Sequence, residues 1–260
     1  MSERKLGYAI ESENMEVLYS EGKHTETMLK LAGEQYPSQN QYADPAPVCP
    51  IKDQDGVGAC QGFALSSIFA VCYYLKTSQL LNFSAMGLYI LSQKEDGLIG
   101  RDVGSTLSGG MRAAAKGICL DEAWPFRDTY DPRIPPVDRP YKLTGSRPTN
   151  DPELIDAAID AGLVVQTGMT WNSELEQEVV TSYTGRGARG GHSTYLFGRK
   201  ENGNIWHHNS WGLWNQDGRS SWTKQAMRQI VTFRSNTFII YSPELVYPAP
   251  PIIIPEGTQI

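Results

Sequence analysis

A cysteine at the predicted start of a helix is the first residue of this sequence whose type and position could carry chemistry. Cys60 follows a glycine-rich loop, residues 54 to 59, and precedes an apolar run at helical spacing that ends near Lys76. The amino terminus of a helix carries about half a positive charge and unpaired N–H groups, and both stabilise a thiolate. A lone cysteine at such a place is more often a buried structural residue. The interpretation of Cys60 as a nucleophile therefore depends on partner residues elsewhere in the chain.

Suitable partners occur later in the sequence. His192 follows two glycines at the head of a predicted strand, 132 residues after Cys60, and Asn209 ends the next predicted strand, 17 residues further on. A cysteine, a histidine and an asparagine at such separations suit nucleophilic catalysis. His192 would accept the thiol proton and later protonate the leaving amine, while Asn209 would hold the imidazole in one tautomer. Gln54, six residues before Cys60, could donate its side-chain N–H groups to an oxyanion hole.

Five short motifs stand in this order along the chain. They are Gln-x5-Cys-x-Gly-Phe-Ala at 54–64, Asp-Val-Gly-Ser at 102–105, Trp-Pro-Phe at 124–126, Gly-His at 191–192 and Asn-Ser-Trp-Gly at 209–212. In this order and spacing, residues 36 to 242 resemble the papain-like cysteine peptidases (family C1), specifically the bacterial branch. The resemblance implies that Cys60 is the nucleophile, His192 the base and acid, Asn209 the orienting residue and Gln54 the oxyanion donor.

The same resemblance implies further site residues. Gly104 and Ser105 would line a cleft and pair with an extended substrate backbone, and Gly191 is assigned to substrate binding with them. Met169 would face an apolar side chain of the substrate. Trp211 would shield the histidine–asparagine hydrogen bond from water. We expect no metal and no cofactor.

The distribution of helix and strand patterns predicts an α+β fold. Helical signals occur at 25–32 and 61–76, from Ser84, between Ser105 and Gly117, and after Asp151, whereas strand patterns occur at 163–169, 192–199, 204–209 and 236–241. The resemblance implies a papain-like two-lobe fold over residues 41–247. It has a helical left lobe at about 41–130, a β-barrel-like right lobe at about 140–247, and the active site in the cleft between them. Residues 1–40 form an N-terminal extension and residues 248–260 a Pro-rich tail.

The composition excludes several other classes of protein. The chain has 23 Lys and Arg against 29 Asp and Glu, a net charge of -6, which is the wrong sign for a nucleic-acid partner. It contains no run of 18 apolar residues, so no membrane partner is expected. The first 13 residues lack the apolar region of a secretory signal peptide. We therefore expect a protein that is cytoplasmic at synthesis, with export by another route left open.

Several other candidate residues are expected to be structural. Cys49, Cys72 and Cys119 have no histidine or basic neighbour in sequence and are expected to be core thiols. His207 and His208 point to opposite faces of their predicted strand, so they are not expected to bind one metal together. One of the two is expected to be packed and the other solvated.

The expected function is hydrolysis of peptide bonds by a cysteine endopeptidase, through a thioester acyl-enzyme, with a peptide or protein as substrate. Alternatives on the same residues are an isopeptidase, a transpeptidase or a cell-wall amidase. A non-catalytic binding or structural component that keeps the fold is a further alternative. Residues 1–40 could lie across the cleft as an intramolecular inhibitor or pack elsewhere on the surface.

Overall fold

The computed structural model describes residues 5–8, 48–240 and 245–247. The helix expected at 25–32, most of the N-terminal extension and the Pro-rich tail lie outside the described residues. Within the described ranges, no helix is long and apolar enough to cross a membrane.

The first four helices of the described residues begin within one residue of the positions that local signals predict, whereas the fifth was not predicted. The helices are α1 (Cys60–Thr77), α2 (Ala85–Asp96), α3 (Leu107–Lys116), α4 (Pro152–Asp160) and α5 (Lys224–Thr232). The side chains of Ser84 and Asp151 accept hydrogen bonds from first-turn N–H groups of α2 and α4, as their N-cap positions predict. Thr106 caps α3, one residue after the expected boundary at Ser105. The hydroxyl of Ser105 instead donates a hydrogen bond to the side chain of Gln61.

Most of the strands form one mixed sheet. The strands are β1 (Lys142–Leu143), β2 (Ser146–Pro148), β3 (Val164–Trp171), β4 (Val179–Val180), β5 (Gly190–Arg199), β6 (Ile205–His208), β7 (Arg219–Trp222), β8 (Asn236–Ile240) and β9 (Leu245–Val246). The larger sheet has the order β2-β8-β3-β5-β6-β7-β4, and β1 pairs with β9. All of these pairs are antiparallel except β4 with β7. Expected strands at 163–169, 192–199, 204–209 and 236–241 match β3, β5, β6 and β8 to within two residues.

Alternation along the strands gives the sheet two apolar faces. Val164 on β3 belongs to the core that the sheet shares with α1, α2 and α3. Its neighbour Val165 belongs to a second core, which contains residues of α4 and α5. The sheet is therefore covered on one face by the helical lobe and on the other by two later helices. Since β5 carries His192 and packs against α1, this layering brings residues from both halves of the sequence together.

The residues expected to be structural are buried. Cys49, Cys72 and Cys119 are buried cysteines of the core, as predicted. The prediction for the histidine pair was wrong, because His207 and His208 are both buried. His207 stacks on Trp222. His208 lies on the other face of β6, where it stacks on Tyr195 and donates a hydrogen bond from Nε2 to the carbonyl of Phe197 at 3.1 Å. Both faces of this strand are covered, so neither ring reaches solvent.

Candidate active site

Cys60 lies at the amino terminus of α1, as the sequence predicts. Ala59 is the N-cap residue, and the thiol is fully buried. Backbone N–H groups of Cys60 itself, Gln61, Ser193 and Gly7 lie close enough to the sulfur to lower its pKa. Two of these groups belong to the first turn of the helix, one to β5 and one to the N-terminal segment. The sulfur is therefore surrounded by hydrogen-bond donors from three parts of the chain.

His192 and Asn209 are brought together by the pairing of β5 with β6. The Nε2 of His192 lies 2.8 Å from Oδ1 of Asn209. The same Oδ1 accepts a hydrogen bond from the N–H of Ser210, which fixes the orientation of the amide. Because an amide oxygen can only accept, the proton of the neutral imidazole must be on Nε2. The buried Nδ1 has no hydrogen-bond partner among the described residues, so its lone pair is left to accept a proton.

Two tryptophans enclose the His192 ring. Trp211, the residue expected to shield the histidine–asparagine hydrogen bond, lies over the His192 ring, with ring centroids 4.8 Å apart and planes 35° apart. Trp171 meets the ring edge-on at 4.7 Å. Trp171 was not predicted from the sequence as a site residue, although it follows the strand pattern at 163–169 directly. Both indoles therefore pack against the imidazole ring.

Gln54 is fully buried and its side chain is held at both ends. Its Oε1 accepts a hydrogen bond from the hydroxyl of Ser210 at 2.6 Å, and its Nε2 donates to the carbonyls of Val57 and Lys5, each at 3.0 Å. Val57 belongs to the same loop, whereas Lys5 belongs to the N-terminal segment. Gln54 therefore aims one amide N–H into the cleft at a carbonyl oxygen.

Residues 5–8 lie across the cleft between the two lobes. The N–H of Tyr8 donates to the carbonyl of Gly191 at 3.0 Å, and the N–H of Ser105 donates to the carbonyl of Gly7 at 3.0 Å. The segment therefore uses three of the residues expected to bind substrate or an oxyanion: Gly191, Ser105 and Gln54. Its backbone is extended and bridges the β lobe to the helical lobe.

Close packing of backbone against backbone explains the glycines of the cleft. A Cβ atom added to Gly7 would overlap the carbonyl of Gly58, and one added to Gly104 would overlap the carbonyl of Gly7. Gly104 also has a φ of 86°, which favours glycine. A Cβ on Gly191 would meet the carbonyl of Tyr8. These glycines allow an extended chain to approach Cys60 closely.

The side chain of Tyr8 lies in a pocket between the β lobe and the helical lobe, and the residue is only 5% exposed. A Cβ on Gly168 would meet the Tyr8 ring and the side chain of Leu107, so Gly168 and Leu107 both line the pocket. Met169 was expected to face an apolar substrate side chain, but it is fully buried in the core beneath α4 and α5. Neighbouring residues of a strand point to opposite faces. The structure therefore gives the cleft-lining position to Gly168.

The two reacting groups are both neutral in this arrangement. Burial raises the pKa of the Cys60 thiol to about 11, against the lowering effect of nearby N–H groups. Burial also lowers the pKa of His192 to about 4, although the hydrogen bond to Asn209 acts in the other direction. The helix terminus was expected to yield a thiolate. Desolvation outweighs it here, because the sulfur is fully buried in the folded chain.

Three buried histidines are expected to make the folded protein less stable at acidic pH. Burial lowers the pKa of His192 to about 4 and that of His208 to about 3, and it lowers the pKa of His207 as well. In the unfolded chain these groups titrate near 6.5, so the unfolded state takes up protons first as the pH falls. The contribution of the neutral histidines to the free energy of unfolding is therefore fully present above about pH 6.5 and is lost as the pH falls toward 4. We expect the melting temperature to fall by about 5 °C or more between pH 7 and pH 5.

Thermal unfolding followed by circular dichroism checks this expectation. The matched variant His208→Phe keeps an aromatic ring against Tyr195 but cannot be protonated, so its melting temperature should fall less over the same interval. Equal melting temperatures at pH 7 and pH 5 for the parent protein would contradict the assignment of neutral buried histidines.

Comparisons with solved structures give matches along most of the chain. Xylellain, a cysteine protease from Xylella fastidiosa, matches with a TM-score of 0.65 at 19% identity, over 92% of this chain and 98% of that one. The clostridial cysteine protease Cwp84 matches with a TM-score of 0.65 at 16% identity, over 79% of this chain and 58% of that one. The bromelain protease from Ananas comosus, in complex with the E64 inhibitor, matches with a TM-score of 0.60 at 16% identity, over 78% of this chain and 96% of that one.

A proform structure also appears among the similar folds. The ragweed pollen allergen Amb a 11, a cysteine protease solved as its proform, matches with a TM-score of 0.60 at 20% identity, over 78% of this chain and 64% of that one. Models of known protein families give no match to this sequence, and neither do curated protein sequences. The structural matches, together with the order of helices and strands described above, show that the chain has the α+β fold of the papain-like cysteine proteases.

Proposed function

We propose that this protein is a papain-like cysteine peptidase that hydrolyses peptide bonds with Cys60, His192 and Asn209. The single observation that carries the proposal is the hydrogen bond from His192 Nε2 to Asn209 Oδ1. It leaves the buried Nδ1 as a proton acceptor in the cleft where Cys60 begins α1. The similar folds are those of cysteine proteases, which supports the same assignment.

The reaction follows from these positions. His192 Nδ1 takes the thiol proton as the sulfur of Cys60 attacks the substrate carbonyl carbon, and the carbonyl oxygen becomes an oxyanion. Gln54 Nε2 donates a hydrogen bond to that oxygen, in the place where it now holds the carbonyl of Lys5. The tetrahedral intermediate collapses as the C–N bond breaks and His192 protonates the leaving amine. Water then attacks the thioester with His192 as base, which releases the acid and restores the thiol.

We further propose that residues 5–8 keep the enzyme latent. They occupy hydrogen-bonding groups of Gly191, Ser105 and Gln54, and the N–H of Gly7 donates to the sulfur of Cys60. The backbone of the segment therefore fills the positions that a substrate backbone would need. By covering the sulfur it also removes water from Cys60 and His192, and this disfavours the thiolate–imidazolium pair.

The role of Gln54 gives a test that is specific to the oxyanion step. Gln54→Ala should lower kcat by about a hundredfold to a thousandfold with a much smaller change in KM, because the lost hydrogen bond forms mainly in the transition state. Steady-state kinetics on a fluorogenic peptide measures both constants. Ser210→Ala removes only the hydroxyl that holds Gln54 Oε1, so a smaller loss is expected. An unchanged kcat in Gln54→Ala would remove this residue from the mechanism.

A further inference from the structure

The carboxylate of Asp102 is fixed at the edge of the cleft by hydrogen bonds to one of its two oxygens. Oδ1 accepts from the N–H of Gly58 at 3.0 Å and from the hydroxyl of Tyr89 at 2.7 Å. Burial and the Asp102 carboxylate both raise the pKa of Tyr89, so this hydroxyl remains a donor. The Asp102 side chain is 17% exposed. The carboxylate is therefore held in place by the protein itself, before any cation reaches it.

The second oxygen of Asp102 binds a cation from the segment in the cleft. The ammonium of Lys5 lies 2.6 Å from Oδ2. The carbonyl oxygen of the same residue accepts the hydrogen bond from Gln54 Nε2 at 3.0 Å. Lys5 thus contacts both residues: its carbonyl oxygen accepts from Gln54, the proposed oxyanion donor, and its ammonium pairs with Asp102. A residue whose carbonyl oxygen lies at Gln54 Nε2 can therefore reach the Asp102 carboxylate with a side chain as long as that of lysine.

We propose that Asp102 is a specificity-determining residue that selects lysine or arginine on the acyl side of the bond to be cleaved. This inference rests on the proposed peptidase function. In a productive complex, the residue on the acyl side is the one whose carbonyl oxygen meets Gln54 Nε2. Lys5 shows that a basic side chain on a residue with its carbonyl there can reach Asp102 Oδ2.

The surroundings of Asp102 favour a cation over a neutral side chain. Gly58 has no side chain that would crowd the carboxylate, since a Cβ there would meet Asp102 Oδ1. A charged hydrogen bond in such a partly buried place is stronger than a neutral one. A neutral side chain would cover Oδ2 without replacing its hydrogen bonds to water, which is unfavourable. A purely structural role in fixing the loop would need Oδ1 alone.

The test compares substrates that differ at one residue. Full-length protein carrying Gly7→Ala, the substitution that should displace residues 5–8, is assayed with fluorogenic peptide amides that have lysine, arginine, norleucine or citrulline on the acyl side. Norleucine and citrulline match the shapes of lysine and arginine without the charge. We expect kcat/KM to be about tenfold to a hundredfold higher for each charged residue than for its neutral match. Asp102→Asn, added to the same protein, should bring both ratios to about one.

The controls distinguish failure of the proposed Asp102 specificity from failure of the proposed peptidase function. Asp131→Asn removes a carboxylate that pairs with Arg133 elsewhere on the helical lobe, and it should leave both ratios unchanged. Equal rates on lysine and norleucine substrates in Gly7→Ala would overturn the subsite, and this comparison does not depend on whether Asp102→Asn folds. A lysine preference that persists in folded Asp102→Asn would overturn it too. If no peptide is cleaved and a peptidyl electrophile leaves Cys60 unlabelled, the peptidase function itself is wrong.

Discussion

Cys60→Ala is expected to lower peptide hydrolysis by about 10⁵-fold to 10⁶-fold in the full-length chain carrying Gly7→Ala. The thioester cannot form without the sulfur, and the residual rate comes from binding and from the donor at Gln54. The loss should appear in kcat, with no burst of acyl-enzyme in rapid-mixing experiments. Rates are measured on a fluorogenic peptide, with intact mass to show that the protein is uncleaved.

The matched control is another buried cysteine on the same helix. Cys72 lies on α1 and is buried in the hydrophobic core, so Cys72→Ala removes a sulfur without changing the cleft. This variant should lose some stability through the small cavity but keep its turnover. Hydrolysis by Cys60→Ala at the rate of its parent would show that another group performs the reaction.

Gly7→Ala is expected to raise the peptidase activity of the full-length chain by about tenfold to a hundredfold. The added Cβ would overlap the backbone carbonyl of Gly58, and backbone cannot turn aside as a flexible side chain can. The bound state of residues 5–8 is therefore destabilised, while the cleft itself is unchanged. Initial rates of peptide hydrolysis, measured beside the unsubstituted chain, give the ratio.

Two further variants make this result interpretable. Gly56→Ala is a matched control, because a Cβ there meets no atom within 4 Å, and it should leave the rate of the latent chain as it is. Tyr8→Ala empties the pocket beside Gly168 and should also activate, since the segment loses its most buried side chain. Equal activity of Gly7→Ala, Tyr8→Ala and the unsubstituted chain would show that residues 5–8 do not restrain the enzyme.

Local sequence signals account for much of the fold. The capping residues Ser84 and Asp151 and the glycine loop before Cys60 act through neighbouring atoms, so the starts of α1, α2 and α4 were predictable. Strand β7 was not predicted, because its sequence Arg-Ser-Ser-Trp is mostly polar and it forms a strand by pairing with β6 on one side and β4 on the other. Helix α5 was missed as well.

The candidate site was predictable in its residue types and less so in its environment. Cys60, His192, Asn209 and Gln54 were assigned from their order and spacing. The direction of the pKa shift of Cys60 was not predicted, because the shift is caused mainly by burial of the sulfur, and burial depends on how distant parts of the chain pack around it. Residues 5–8 are too few to give a periodic pattern, and their place follows from the shape of the cleft. Gly168 rather than Met169 lines the pocket because of strand register, which a one-residue shift reverses.

The most direct measurement is the pH dependence of iodoacetamide alkylation at Cys60, followed by peptide mass mapping. In full-length Gly7→Ala, the account predicts rapid alkylation with an apparent pKa well below the ordinary thiol value of about 8.5, because His192 and the helix terminus stabilise the exposed thiolate. His192→Ala should return the profile toward the ordinary range. A profile with an ordinary thiol pKa in both proteins would contradict the claim that His192 activates Cys60.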